Sequence, residues 1–531
     1  MKTDNKTWEE LRSITPEKMA VAQLVLEEIK QGKSVLDAIR RYPLPDGGYV
    51  AKQMLVAAYR QLVDDQLWAE DDTFLARIRM KPIRTLSGVT TVTVLTKPYP
   101  CPGKCIFCPT DIRMPKSYLP DEPGARRAVQ HQFDPHDQVA SRIEALEAVG
   151  HPTDKIELLI LGGTWNAYKR DYQEWFVQRC LDAMNKVNSQ SLAEAQTLNE
   201  TASHRNVGMV IETRPDCVTP AELTWIRSLG VTKVQMGAQS LDNRILALNQ
   251  RGHTAEETLH AMHLLRAAGF KVVLHWMPNL MGATPASDRQ DFMRLWDGFC
   301  PDEIKIYPNQ LLENAELYEY WLRGEFIPYT TEELIHLIAD IKVTIPRYTR
   351  VNRIIRDIPS TNVVEGNKRT SLRQDVHEEL ARRGDVCQCI RCREVRAEKI
   401  DPDHLEMKDL VYETGASQEH FISFDTENDR LAGFLRLSLP GPDAPDMRLP
   451  DLLGAAIIRE VHVYGQSLPV GMGEFGAAQH VGLGTKLIQR AEEIARSHDF
   501  KRLVVISAIG TRQYYQKLDF YNGDLYQIKD L

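Results

Sequence analysis

The hydrophobic positions change period along this chain. Between residues 15 and 65, apolar side chains such as Met19, Ala22, Leu26 and Ile29 return at helical spacing, and PLPDGG at 43–48 breaks the pattern. A small helical module is the expectation. From about 80 to 310 the pattern becomes short β-branched runs at 89–96, 156–163, 207–213, 231–237, 270–276 and 303–308, separated by helical stretches at 136–149, 171–187, 219–229 and 255–268. Such alternation predicts βα units on a parallel sheet, and six units predict a partial barrel rather than a closed eight-stranded one. Chemistry in such folds sits at the C-terminal ends of the strands.

A helical and irregular stretch at 330–385 leads into short strands from about 405 to 465, interrupted by LPGPDAPDMRLP at 439–450, which reads as a surface loop. The last segment runs strand (REVHVYG), glycine turn, helix (TKLIQRAEEIARSH), strand (RLVVISAI) and helix (TRQYYQKL). The fold class is therefore α/β: a partial (β/α)6 barrel followed by a second α/β domain. The expected divisions are a helical module at 1–75, the barrel at 76–345, a cysteine-bearing linker at 346–400 and the last domain at 401–531.

Composition adds constraints. With 43% hydrophobic and 26% charged residues the chain is of globular type. No apolar run approaches the ~20 residues that cross a bilayer, and the N-terminus lacks an apolar signal core, so a cytoplasmic protein without a membrane partner is expected. Six of the nine cysteines fall in two tight clusters, which reads as metal binding in a reducing compartment; Cys180, Cys217 and Cys300 are expected to be buried thiols. A net charge of −8 argues against nonspecific coating of nucleic acid. Locally, however, Arg77, Arg79, Lys81 and Arg84 cluster, and Arg347, Arg350, Arg353 and Arg356 recur every third residue. Each group reads as a phosphate-binding footprint or as a solvated charged face.

Cys101, Cys105 and Cys108 form C-x3-C-x2-C directly after the first expected strand. Three thiolates can hold three irons of a 4Fe-4S cluster and leave the fourth open. This spacing resembles the signature of radical S-adenosylmethionine (SAM) enzymes. The other strand ends agree: Gly162-Gly163-Thr164 lets backbone approach a ligand, and Glu212 and Gln239 end strands three and four. Cys387, Cys389 and Cys392 place three soft ligands within six residues, most simply a structural zinc site, with His404, His420 and His462 as candidates for the fourth ligand and His462 preferred; a second iron-sulfur cluster is the alternative. Gln479-His480-Val481-Gly482-Leu483-Gly484 resembles the pyrophosphate loop of GNAT acetyltransferases, where glycine N–H groups open a helix toward an anion. Tyr514 and Tyr515 then lie where such enzymes keep a tyrosine near the thioester sulfur.

The stretches CPGKCIFCP, PKSYLPDEPGARRA, DKIELLILGGTW, IETRPD, GAQSLDNRILALNQRGHT, GFKVVLHWMPNLMG, IKIYP, REVHVYG, QHVGLGTKLIQRAEEIA and YYQKL together resemble the Elongator catalytic subunit family from about residue 75 onward. The compact cysteine spacing and CQCIRC look like its bacterial or archaeal branch. The resemblance implies acetyl-CoA-dependent formation of 5-carboxymethyluridine at the tRNA wobble position: a 5′-deoxyadenosyl radical takes hydrogen from the acetyl methyl, the carbon radical adds to C5 of uracil, and the thioester is hydrolysed. It also implies cofactor contacts with SAM from Gly162, Gly163, Glu212 and Gln239. For acetyl-CoA it implies Lys155, Glu460, Val461, His462, Val463, Gly482, Leu483, Gly484 and Tyr515. Catalytic roles follow for Lys305, Tyr307, Tyr514 and Tyr515, and tRNA contacts for Arg77, Arg79, Lys81, Arg84, Arg350 and Arg353. An electron donor is implied as a partner, and a homodimer is compatible with the sequence. The alternatives are a protein lysine acetyltransferase with a structural radical SAM domain, and a noncatalytic tRNA-binding scaffold.

Overall fold

The computed structural model describes residues 14–44, 47–81, 85, 87–396, 400–464 and 482–531. Gln479, His480, Val481 and Arg84 lie outside the described residues. The chain divides into two units, 1–90 with 141–153, and 91–140 with 154–531.

Among its described residues the first unit carries the helices α1 (Pro16–Lys30), α2 (Val35–Arg41), α3 (Lys52–Asp64) and α4 (Asp72–Ile78), with the end of the helix Pro135–Glu147. Thr15, Ser34 and Asp71 cap three of them by accepting N–H donors of the first turn. The helical period buries Ala22, Leu26 and Ile29 against Leu55, Tyr59 and Phe74. On either side of the breaker, Pro43 bridges Tyr49.

The second unit is built on two sheets. The first takes β1 (Thr90–Leu95), β2 (Lys155–Leu161), β3 (Arg205–Thr213), β4 (Lys233–Gln239), β5 (Lys271–Trp276), β6 (Glu303–Ile306) and β7 (Arg350–Ile354) in chain order, parallel from β2 to β7. All six expected strands are present. The seventh, β7, lies beyond the boundary expected at 345, in an arginine-rich stretch whose polar side chains hide its strand character. The intervening helices fall where the periodicity puts them, including Arg170–Asn185 and Ala255–Ala267.

The second sheet has the order β13-β14-β12-β11-β10-β9-β8, formed by β8 (Glu406–Glu413), β9 (Ser417–Asp425), β10 (Leu431–Pro440), β11 (Ala455–Val463), β12 (Arg502–Val505), β13 (Tyr521–Asn522) and β14 (Gln527–Asp530). It is antiparallel except where β11 runs parallel to β12. The amphipathic helix Leu483–Ser497 buries Leu487, Ile488 and Ala491 in the same core as Phe421, Phe434 and Ile458. The loop after β10 is anchored by Gly441 N–H to the Ala416 carbonyl (3.0 Å) and by buried Met447.

Charge joins the two sheets. Fully buried Arg459 on β11 donates to Asp302, the residue before β6, and to Glu419 on β9, each at 2.7 Å. Arg436 on β10 reaches the Tyr348 carbonyl at 2.7 Å.

Candidate active site at the mouth of the barrel

The cysteine loop follows β1. Cys101 Sγ lies 3.5 Å from the Thr164 hydroxyl, and Gly103 N–H donates to the same sulfur at 3.4 Å. Arg251 Nη1 donates to Cys105 Sγ at 3.4 Å. A hydrogen bond with Cys108, then Arg251 and Arg214 against the opposing effect of burial, brings the Cys105 thiol down to about 5. A ready thiolate beside two guanidiniums suits a cationic iron cluster. Ile106, Phe107, Leu280 and Leu317 wrap the loop in apolar contacts.

The strand ends converge on this loop. Gly162 and Gly163 have φ +146° and +90°, and a Cβ at Gly163 would stand 3.3 Å from the Lys116 carbonyl. Any side chain there would fill the space the backbone leaves open. The Glu212 carboxylate accepts from the Tyr118 hydroxyl at 2.8 Å. Gln239 adopts φ +71°, uncommon for a residue with a Cβ. Among the described residues, Gln239 Oε1, Arg214 Nη1, Arg251 Nε, Asn279 Oδ1 and Gln310 Oε1 are buried without a hydrogen-bond partner. Buried polar atoms are ordinarily satisfied, so orphans gathered at the strand ends mark a place for a polar ligand. This donor and acceptor set fits a cluster-bound amino-acid nucleoside.

Deeper in the barrel, Lys305 on β6 donates to Gln235 Oε1 on β4, and the same oxygen lies 3.0 Å from His275 Nε2 on β5. The His275 ring meets Tyr307 edge to face at 5.4 Å. Burial, then Lys305 and Arg356, hold His275 well below its usual range and therefore neutral. Below this layer Lys233 pairs with Glu157 (2.5 Å) and Glu303 (3.5 Å), and Lys271 pairs with Glu303 (2.6 Å) and with Glu460 of β11. Lys305 and Tyr307 thus share the barrel interior. Gln235, His275, Arg251 and Tyr118 escaped the sequence reading, whereas Arg214 stands at the end of strand three, among the polar groups expected at the mouth. Gln235 and His275 left one signal, a polar residue in register inside an apolar strand.

On the second sheet, Gly482 (φ +72°) opens the helix Leu483–Ser497, and Gly484 packs under the Tyr514 hydroxyl and Val463. Tyr515 is buried, whereas Tyr514 is 41% exposed. Glu460, Val461, His462 and Val463 end β11, and Leu483 is buried beneath the helix start. Lys155 begins β2 in register with Arg205, against which Gly510 packs. Burial lowers the Lys155 ammonium from its usual value.

Two expectations are corrected. The sulfurs of Cys387, Cys389 and Cys392 lie within 4.8 Å of one another, but among the described residues no histidine or carboxylate joins them at that range. His462 is instead stacked on Phe434 (5.9 Å) and tilted against Tyr464 (4.4 Å), His404 pairs with Asp401, and His420 pairs with Asp409. The strand alternation of β11 turns His462 into an aromatic layer, away from the cysteines. Lys342 Nζ lies 3.8 Å from Cys392 Sγ, and Arg373 and Arg391 add positive charge near the triad. Its thiols fit a soft metal: hydrogen bonds from Cys387 and Cys392 hold Cys389 well below the usual thiol range.

The second correction concerns the arginine run. Arg350 is tied to Glu394 (2.9 Å) and the Tyr464 hydroxyl (2.8 Å). Arg347 pairs with Asp425 and Asp429, and Arg356 with Glu122. A triplet period on and around a strand sends these side chains into acidic partners rather than onto one open face; Arg353, paired with Asp357, keeps 42% of its side chain exposed. In the N-terminal unit, Arg77 donates to the Ile29 and Lys33 carbonyls, Arg79 to Gly150, and Lys81 stands exposed with φ +51°.

A partial parallel barrel whose mouth follows a three-cysteine loop defines a radical SAM protein: the Radical SAM superfamily model matches residues 99–295 and the Radical SAM C-terminal domain model residues 301–382. The tRNA uridine(34) acetyltransferase of Methanocaldococcus infernus is 40% identical over 96% of this chain and 98% of its own length. Its namesake in Dehalococcoides mccartyi is 42% identical, covering 82% and 96%. Human Elongator complex protein 3 is 34% identical, covering 86% and 87%. The solved structure of the M. infernus Elp3 lacking residues 1–46 superposes with a TM-score of 0.72 at 39% identity, covering 84% of this chain and 99% of that one. The chain belongs to the tRNA uridine(34) acetyltransferase family, which includes Elongator complex protein 3. Among the described residues, no helix is long and apolar enough to cross a membrane.

Proposed function

We propose that this chain uses acetyl-CoA to build 5-carboxymethyluridine at position 34 of tRNA. The observation that carries the reading is the ion-pair chain Glu303–Lys271–Glu460. It joins β6, which carries Lys305 in the barrel, to β11, which carries the acyl-CoA segment, so two half-sites stand in one unit. The names of the relatives support the same substrate.

Cys101, Cys105 and Cys108 would hold the 4Fe-4S cluster, and Gly162, Gly163, Glu212 and Gln239 the SAM. Lys155, Glu460–Val463, Gly482–Gly484 and Tyr515 would hold acetyl-CoA, and the second cysteine triad zinc. Bound together, the cluster and SAM supply the radical that abstracts hydrogen from the acetyl methyl. The chain's own residues do the positioning. Tyr118 fixes the Glu212 carboxylate as a hydroxyl acceptor. Gln235 aims the Lys305 ammonium, and neutral His275 braces Gln235, leaving Lys305 and Tyr307 to orient an acyl carbonyl. The apolar collar around the cysteines excludes water from the radical. The N–H groups opening at Gly482 offer a diphosphate cradle.

The test is anaerobic incubation of reconstituted protein with tRNA, SAM, reductant and carboxyl-labelled acetyl-CoA, with Cys105→Ser as control. Labelled carboxymethyluridine that vanishes in the control supports the reading. Label in protein, indifferent to the cysteine, sinks it in favour of lysine acetylation.

A further inference from the structure

A cluster that starts a radical reaction must be reduced by one electron from outside, and that electron needs a route that does not cross the substrate. Two sides of the cysteine loop are occupied. The barrel mouth presents Arg214, Arg251, Gln239 and Asn279 with unpaired buried atoms, which belong to the nucleoside ligand. Cys105 and Cys108 lie under the apolar collar of Ile106, Phe107 and Leu317. Cys101, whose sulfur meets the Thr164 hydroxyl at 3.5 Å, follows the segment from β1 that packs against Tyr168 and Tyr172.

On the Cys101 side the structure has a train of packed rings. Tyr168 lies 4.9 Å from Tyr99 and is stacked on Tyr172 at 5.2 Å and 24°, and Tyr172 lies 5.6 Å from Trp175. Both tyrosine hydroxyls clamp the segment that leads from β1 to Cys101. Tyr168 donates to the Lys97 carbonyl at 2.7 Å, and Lys97 N–H donates to the Tyr172 hydroxyl at 3.1 Å. The inner end of the train therefore grips the loop that carries Cys101, and its outer end, Trp175, is 43% exposed.

The outer end opens into a surface cavity of ≈ 590 Å³ lined by Lys97, His131, Phe133, Asp134, Tyr172 and Trp175. Its floor is aromatic, with Lys97 Nζ 4.5 Å above the Tyr172 ring. The wall is strained: the consecutive residues Gln132 and Phe133 both have left-handed φ, +51° and +60°. Two adjacent non-glycine residues in that region cost about 1–3 kcal/mol each and persist where a shape is needed. Neither the fold nor the reading above uses this cavity.

We propose that this face is the docking site of a small protein carrying a reduced, low-potential one-electron centre, and that Tyr172 and Tyr168 form the packed medium between that centre and Cys101. The inference rests on the cluster assignment made above. The step is balanced: one electron leaves the donor, which is oxidised, and reduces the cluster by one, with no bond made or broken. The rings pack pairwise from Trp175 to Tyr99, two residues before Cys101, which shortens the path an electron must tunnel, and an exposed tryptophan beside a lysine offers the donor a contact point of stacking and charge.

The experiment uses the reconstituted full chain and follows loss of the cluster's visible absorbance in an anaerobic stopped-flow. Reduced ferredoxin and flavodoxin hydroquinone serve as protein donors in separate arms, with titanium(III) citrate as a small reductant. Trp175→Ala and Lys97→Glu are expected to slow reduction by a protein donor about tenfold or more. Trp175→Phe should stay close to the unmodified rate, and titanium(III) should reduce all four proteins alike. Protein-donor rates of Trp175→Ala and Lys97→Glu that match the unmodified chain overturn the proposal, as does equal slowing of these two variants with titanium(III). An unmodified chain that takes up no iron fails earlier and removes the cluster assignment on which the proposal stands.

Discussion

Gly162 shows how much one residue can decide at this site. Its φ of +146° lies outside the comfortable range of a side-chain-bearing residue, and a Cβ there would run into the Thr96 hydroxyl. That hydroxyl is 2.7 Å from the Tyr168 phenol. Gly162→Ala is therefore expected to lose about 1–3 kcal/mol of stability through strain and to abolish SAM binding. Thermal unfolding and calorimetric titration with SAM check the two effects separately; an unchanged SAM affinity would remove Gly162 from the cofactor site. At the same scale, Gly162, Gly163 and the three cysteines were legible because glycine and thiol chemistry are specific in sequence. Arg251 and His275 were not, since an arginine or histidine in a strand or loop does not disclose whether it faces solvent or a buried site.

The most consequential element is β11. Its alternation turns Arg459 toward Asp302 and Glu419, while Glu460 turns to Lys271 and Arg436. Burial alone would raise the Asp302 carboxyl, but Arg459 and then Arg436 outweigh it and hold it well below the usual carboxylate range. A depressed carboxylate contributes stability above its unfolded value and loses it as pH falls toward the folded one. Arg459→Met leaves two buried carboxylates short of a partner, so about 3–5 kcal/mol should be lost near neutral pH. The gap from the unmodified chain should narrow as pH falls below 3.8, the ordinary aspartate value. Denaturant unfolding across pH measures this; a gap that widens on acidification would contradict the assignment. The sequence shows the strand REVHVYG but not which of its polar residues are buried, because charge pairing across two sheets follows from docking rather than from period.

At the scale of the whole molecule, the basic stretch at 77–84 and the arginines at 347–356 looked alike in sequence. In the structure Arg347, Arg350 and Arg356 are held by acidic partners within the second unit, and the N-terminal stretch keeps Lys81 exposed. Electrostatic contact with tRNA is therefore expected from Lys81 and not from Arg350. Lys81→Ala should weaken tRNA binding and reduce the slope of log affinity against log salt by about 0.7–0.9, the value of one phosphate contact. Binding measured at several salt concentrations decides it, and an unchanged slope would exclude Lys81 from the interface.

By itself the sequence determined the helical module, six of the seven barrel strands, the clustering of Cys387, Cys389 and Cys392, and the glycine that opens the helix Leu483–Ser497. These are set by local period, ligand spacing and backbone freedom, all written in consecutive residues. Only the tertiary structure decided that β7 completes the barrel sheet, that His462 sits in an aromatic layer rather than with the cysteines, and that Arg347, Arg350 and Arg356 are held by acidic partners. Each of those outcomes depends on what a side chain meets across space. A polar residue's role is fixed by its partner, and the partners here lie tens to hundreds of residues away in the chain.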